Sequence, residues 1–88
     1  MIESAITIKN RTGLHARAAA KFVEVTSHYD SRVEVSNGDR TVDGKSILSV
    51  MMLAASPGSE LTLKIGGNDE LEVLEAIRQL VDNNFGEE

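Results

Sequence analysis

Apolar residues recur along this chain with two different periods, and the changes of period mark its elements. Ile2, Ile6 and Ile8 fall on one side of a period-2 pattern, with Glu3, Thr7 and Lys9 on the other. Alternation of this kind predicts a strand with one buried face. Over residues 16–27 the spacing lengthens: Ala19, Phe22, Val23 and Thr26 stand at i, i+3, i+4 and i+7, one face of a helix. Val33 and Val35 alternate with charged neighbours in a second strand. Asn37-Gly38 is a turn signal, because both residues tolerate positive φ, and residues 41–43 supply the return strand. Residues 46–54 are apolar and helical in length, with Val50, Leu53 and Ala54 expected to face the sheet and Pro57-Gly58 to end the segment. Leu61, Leu63 and Ile65 give a fourth strand, which Gly66-Gly67 breaks. Asn68 or Asp69 is the expected N-cap of a last helix with acidic residues in its first turn. Its stripe is Leu71, Leu74, Ile77 and Val81, widened by Val73 and Leu80, and the acidic tail after Phe85 is expected to fray.

The order β-α-β-β-α-β-α implies an α+β fold: one antiparallel sheet with helices packed on one side, in a single domain spanning residues 1–88. A chain this short buries only about 60 to 65% of its unfolded surface. Function is therefore expected on the surface, with a partner supplying the missing walls of any site. With no cysteine there is no disulfide framework and no thiolate metal site, which suits a reducing compartment. No basic segment followed by an apolar run opens the chain, and residues 50–55, its longest apolar stretch, fall far short of a membrane span. The expectation is a cytoplasmic protein without membrane insertion. A formal charge of -5 and three aromatic residues, Phe22, Tyr29 and Phe85, argue against nucleic acid as a partner.

Candidate chemistry centres on RTGLHARAAAKFV, residues 11–23. If the helix begins near Ala16, its first N–H groups lack intrahelical acceptors and point, with the positive end of the macrodipole, toward His15. That is a ready anion site. Arg17 adds a permanent charge that forks onto phosphate oxygens. Dipole and Arg17 both oppose a second positive charge, which favours the neutral, nucleophilic ring. A phosphoryl group taken by His15 would land among waiting donors. Gly13 would allow a tight turn before the site, and Ala16, Ala18, Ala19 and Ala20 would leave it open to another protein. The plain alternative is a surface histidine beside a surface arginine. His28, near the end of the same helix, fits a dipole-complementing structural role, and the two histidines have no metal-ligand spacing.

The second notable stretch is DGKSILSVMMLA, residues 43–54. Its GKS does not complete a P-loop, because Asp39 stands where the motif needs glycine. Ser46 reads as the N-cap of the second helix, where an added phosphate would be tolerated and would change the charge a partner meets. Ile47, Leu48 and Met51 cannot all reach the core from so short a helix and would form an exposed docking patch.

Taken together, GLHARAAAKF and VDGKSILSVMMLA resemble the HPr family, the histidine-containing phosphocarriers of the bacterial phosphotransferase system. The ending VDNNFGEE and the HARAAAKF variant are more similar to the nitrogen-related branch, NPr. The resemblance implies an open-faced β-sandwich with four antiparallel strands in the order 1-4-2-3 and three helices on one face. It implies that His15 accepts a phosphoryl group from enzyme I, which draws it from phosphoenolpyruvate, and passes it to an enzyme IIA protein. Arg17 would contact the phosphate. Ser46 matches the serine modified by HPr kinase/phosphorylase in some bacteria, and Ala16, Ala20, Ile47, Leu48 and Met51 match the partner-docking surface. The implied protein is a monomeric carrier rather than an enzyme, with no cofactor and no metal. The commonest motif has proline at position 18, where this chain has Ala18, a residue at home in a helix. The rival reading is a regulatory binding module that acts through the Ser46 helix with His15 idle.

Overall fold

The alternating apolar positions meet across the strands. The computed structural model describes residues 1–87 of the chain. Its strands are β1 (Ile2–Thr7), β2 (Arg32–Asn37), β3 (Arg40–Asp43) and β4 (Glu60–Gly66), all antiparallel to their neighbours in the order β1-β4-β2-β3. The register places Ile6 opposite Leu61, and it lines up Leu63 with Val35 and Val35 with Val42. Ile65 stands opposite both Ile2 and Val33. A slip of one residue would turn every one of these side chains outward, so the pattern itself specifies the pairing. Against this face pack α1 (Ala16–Thr26), α2 (Ile47–Met51) and α3 (Glu70–Asp82). Glu3, Ala5, Thr7 and Lys64 are exposed on the other face. Among the described residues, no helix is long and apolar enough to cross a membrane.

α1 buries the expected stripe of Ala19, Phe22, Val23 and Thr26, together with Ala18. The second helix is shorter than its apolar run suggests. It ends at Met51, and side chains of the β2–β3 hairpin hold the carbonyls just past its end: Arg40 Nη1 donates to Met52 O at 2.7 Å and Asn37 Nδ2 to Leu53 O at 3.2 Å. Ala54 then adopts a left-handed φ of 50° and is exposed, so it does not face the sheet; Val50, Leu53 and Ala55 do the packing instead.

Three expectations for the C-terminal region are also corrected. Leu71 is 72% exposed, since it precedes Val73 by two residues and so lies about 200° around the helix from it. The buried line is Val73, Ile77 and Val81, with Leu74 and Leu80 packed beside it. Asp69 is the N-cap of α3 by position, yet its carboxylate does not cap. It reaches across to accept from the N–H groups of Asp30 at 2.9 Å and Ser31 at 3.0 Å, and from the Ser31 hydroxyl. The Ser31 hydroxyl first, and then the Asp30 N–H, hold that carboxyl below the usual aspartate range. Nor does the tail fray through Glu87. Asn84, Phe85 and Gly86 take φ values of 53°, 56° and 77°, a left-handed reversal that turns the chain back on itself. Phe85 drops into the core at 1% exposure, against α1 and α3.

Phe85 should therefore act as a core residue despite lying three from the end. Phe85→Ala is expected to lower stability by about 3–5 kcal/mol in urea denaturation, and an unchanged midpoint would show that the tail does not contribute to the core.

Candidate functional site

Residues 10–13 form a tight turn in which the Gly13 N–H donates to Asn10 O at 3.2 Å and Asn10 Nδ2 donates to Gly13 O at 2.8 Å. Gly13 has φ 69°, and a Cβ there would fall 2.4 Å from the carbonyl oxygen of Ala55. Only glycine permits that approach. The same oxygen accepts from the Leu14 N–H at 2.9 Å, which plants Leu14 in the core at 4% exposure. The next residue, His15, is extended and becomes the N-cap of α1. Its carbonyl accepts the first helical hydrogen bond, from the Ala19 N–H, at 2.8 Å.

The ring makes two polar contacts. Nδ1 accepts the N–H of Arg17 at 3.3 Å, so the imidazole itself performs the capping usually done by Ser or Asp. An atom that accepts an N–H bond holds a lone pair, which places the proton of the neutral ring on Nε2. Nε2 in turn donates to Glu87 Oε2 at 3.0 Å. The ring remains 38% exposed, within reach of a partner. His15, Arg17, Arg11, Thr12 and Glu87 line one shallow recess of about 270 Å³. This is an open mouth at a helix N-terminus, an arrangement that can take an anion, with a nitrogen lone pair at its rim.

Sequence reasoning missed the carboxylate side of this site. Glu87 accepts from three donors: His15 Nε2, the Thr12 hydroxyl at 3.0 Å and Asn10 Nδ2 at 3.1 Å. Asn10 is 1% exposed, so its amide is fixed, with both N–H groups committed to Gly13 and Glu87. The only signal was the isolated Phe85, an aromatic residue out of place in a fraying tail. The environment of His15 is thus not purely cationic: dipole and Arg17 lie on the Nδ1 side, a carboxylate on the other. The His15 hydrogen bond is the largest cause holding the Glu87 carboxyl below the ordinary glutamate range; burial, the next largest effect, opposes it, and the Thr12 and Asn10 hydrogen bonds add smaller lowering contributions.

The other expected residues are placed as follows. Ala16 and Ala20 are exposed on the same helix as Arg17, whereas Ala18 and Ala19 are fully buried and belong to the core. Helix α1 starts at Ala16 with Ala18 where proline is commoner, so the substitution leaves a regular helix start. Ser46 is the N-cap of α2, its hydroxyl accepting the Ser49 N–H at 3.3 Å, and is not part of the His15 recess. Ile47, Leu48 and Met51 are exposed by 44%, 69% and 36%, and Met52, which pattern reading did not single out, extends their patch. His28 Nδ1 lies 2.6 Å from Glu24 O at the C-terminal end of α1, a structural contact. Among the described residues, no group of three or more potential metal ligands gathers.

Comparisons with known proteins cover nearly the whole chain. Residues 2–83 match the family model described as PTS HPr component phosphorylation site. The chain is 47% identical to the phosphocarrier protein HPr of Cupriavidus necator over 87 residues, 99% of this chain and 98% of that one. It is 53% identical to that of Pseudomonas aeruginosa over 83 residues, 93% and 92% of the two chains. The crystal structure of HPr-C-His from Thermoanaerobacter tengcongensis superposes with a TM-score of 0.95 at 43% identity, covering 100% of this chain and 99% of that one.

The depressed Glu87 carboxyl sets a pH dependence. A lowered folded value means the contact contributes fully above the unfolded value and is lost as pH falls through the folded one. Carbon-detected NMR titration should place the Glu87 midpoint below the ordinary range in the native protein and return it toward that range in His15→Ala. An identical midpoint in the two would show that the ring is not the main cause.

Proposed function

Because the chain belongs to the HPr family of phosphotransferase-system phosphocarriers, we propose that His15 is its phosphoryl acceptor, loaded by enzyme I at the expense of phosphoenolpyruvate and unloaded onto an enzyme IIA protein. The observation that carries this reading is the state of Nδ1: a lone pair on a part-exposed ring, held at the start of α1 beside Arg17. Nδ1 attacks the phosphorus of the phospho-donor, the bond to the donor breaks, and the new anion lies at the helix N-terminus. The Arg17 N–H moves from the ring nitrogen to a phosphoryl oxygen, and the Arg17 guanidinium provides the counter-charge. Transfer onward is the reverse process with a different partner. The chain supplies nucleophile and cradle, and the enzymes on either side supply the remaining catalytic groups and any metal, so it acts as a carrier and not an enzyme.

The exposed Ile47, Leu48 and Met51 patch, with Ala16 and Ala20 beside His15, supports docking of enzyme I and enzyme IIA on this side of the molecule. Ser46, at the head of that patch, is the position for regulatory phosphorylation by an HPr kinase/phosphorylase, where about two added negative charges would weaken exchange with enzyme I. The HARAAAKF variant and the VDNNFGEE ending favour the nitrogen-related branch, and such a relay operates in the cytoplasm.

Incubation with labelled phosphoenolpyruvate and the enzyme I of either branch tests the reading. Acid-labile, base-stable label is expected, abolished in His15→Ala, and faster loading by the nitrogen-branch enzyme would assign the branch. No label with either enzyme would leave a regulatory module acting through the Ser46 helix. In the same assay Arg17→Glu should load roughly 10²-fold more slowly, the scale of one lost charge-stabilising donor, with its fold intact by circular dichroism. Ser46→Asp should load several-fold more slowly, and rates equal to the native protein's would remove the corresponding role from either residue.

A further inference from the structure

We infer that Glu87 is a positioning residue of the phosphoryl relay: its carboxylate holds the proton on His15 Nε2 through both half-reactions, so that the ring enters as a nucleophile and leaves as neutral imidazole. This rests on the reading of His15 as acceptor and deepens it.

The two contacts of the ring behave differently when the group is transferred. On loading, the Nδ1 lone pair forms the bond to phosphorus, so Nδ1 no longer accepts the Arg17 N–H. The Nε2 contact to Glu87 at 3.0 Å survives. Because Nε2 keeps its proton, the ring becomes cationic as the P–N bond forms, and that charge develops directly against the carboxylate. On unloading, the receiving nucleophile attacks phosphorus, the P–Nδ1 bond breaks and its electron pair returns to Nδ1. With the proton still on Nε2 the departing group is a neutral imidazole and no other proton is needed. If Nε2 had lost its proton, the departing group would be imidazolate, a far poorer one.

Glu87 is built for this duty. The buried Asn10 amide and the Thr12 hydroxyl fix its oxygens, and Phe85, two residues earlier, anchors the tail that carries it. The other charges facing the ring are Arg11 and Arg17, with Lys21 of α1 beside Gly86. All are cations that would expel the Nε2 proton, so Glu87 is the group among the described residues that opposes them.

Glu87→Gln keeps an acceptor for Nε2–H and removes only the charge. In the unphosphorylated variant, nitrogen-15 shifts should still report the Nε2–H tautomer, which shows that the ring has kept its place. After loading by enzyme I, the ring should lose its Nε2 proton at a pH lower by about one unit than in the native protein, the scale of one removed counter-charge. The transfer rate to an enzyme IIA protein should begin to fall at correspondingly lower pH, and Glu87→Asp should recover part of both shifts. Coincident titrations and rate profiles for loaded native protein and Glu87→Gln would overturn the inference while leaving His15 as acceptor. Absence of label on His15 in the native protein would overturn both.

Discussion

The carbonyl of Ala55 is the point from which the site is built. Two loops cross there, and they touch because Gly13 has no side chain to keep them apart. The Leu14 N–H completes the contact and commits Leu14 to the core. With Leu14 buried and α1 beginning at Ala16, the single residue between them has to be the N-cap, and that residue is His15. The early end of α2 belongs to the same constraint. Ala54 turns left-handed so that Ala55 can face Leu14, and a helix continued through residue 54 would carry that carbonyl elsewhere. The exposed apolar patch and the histidine are therefore placed by one crossing, although they lie on different helices.

A second constraint comes from the far end of the chain. The left-handed reversal at residues 84–86 is costly for Asn84 and Phe85, since non-glycine residues there carry strain of about 1–3 kcal/mol each. Burial of the Phe85 ring, worth about 1.5–3 kcal/mol, offsets part of it. The result is a carboxylate delivered to the one edge of the imidazole that the helix does not serve. A tail of the same charge without the aromatic anchor would have stayed in solvent.

The strands, their order of appearance and the stripe of α1 were legible because each has a period that matches burial on one face, and His15 was legible because the helix start after GLH is marked by composition. What escaped was of another kind. Leu71 was misassigned because a stripe fitted to apolar identity alone ignores which side of α3 meets the sheet. Ala54 was misassigned because the chain turns left-handed there, with the carbonyls just past α2 held by Arg40 and Asn37 from a hairpin more than ten residues away in sequence. The Asp69 carboxylate turned from capping its own helix to tying down residues 30 and 31, again a long-range choice. Glu87 joins His15 across 72 positions, and no local pattern announces such a pair. In each case the deciding partner lies on a different element.

The openness of the site is itself a functional property on the reading of His15 as acceptor. A group that must be handed on cannot be held as an enzyme holds a transition state, because binding that is uniformly strong would turn the carrier into a sink. The recess offers Arg11, Arg17 and the first turn of one helix, all at the surface, where water screens each interaction. A deeper pocket would raise the worth of every one of those contacts and slow release. Placing the carboxylate on the ring rather than further cations around the phosphate solves the same problem from the other side: on the role inferred for Glu87, it keeps the Nε2 proton on the loaded ring, from which the P–N bond breaks most readily, without tightening the grip on the phosphoryl oxygens. An 88-residue chain buries only a thin core, which suits a shallow surface site. Its small size and its shallow site are thus two expressions of one design, in which selectivity is left to the partner surfaces and the carrier contributes a nitrogen of controlled protonation.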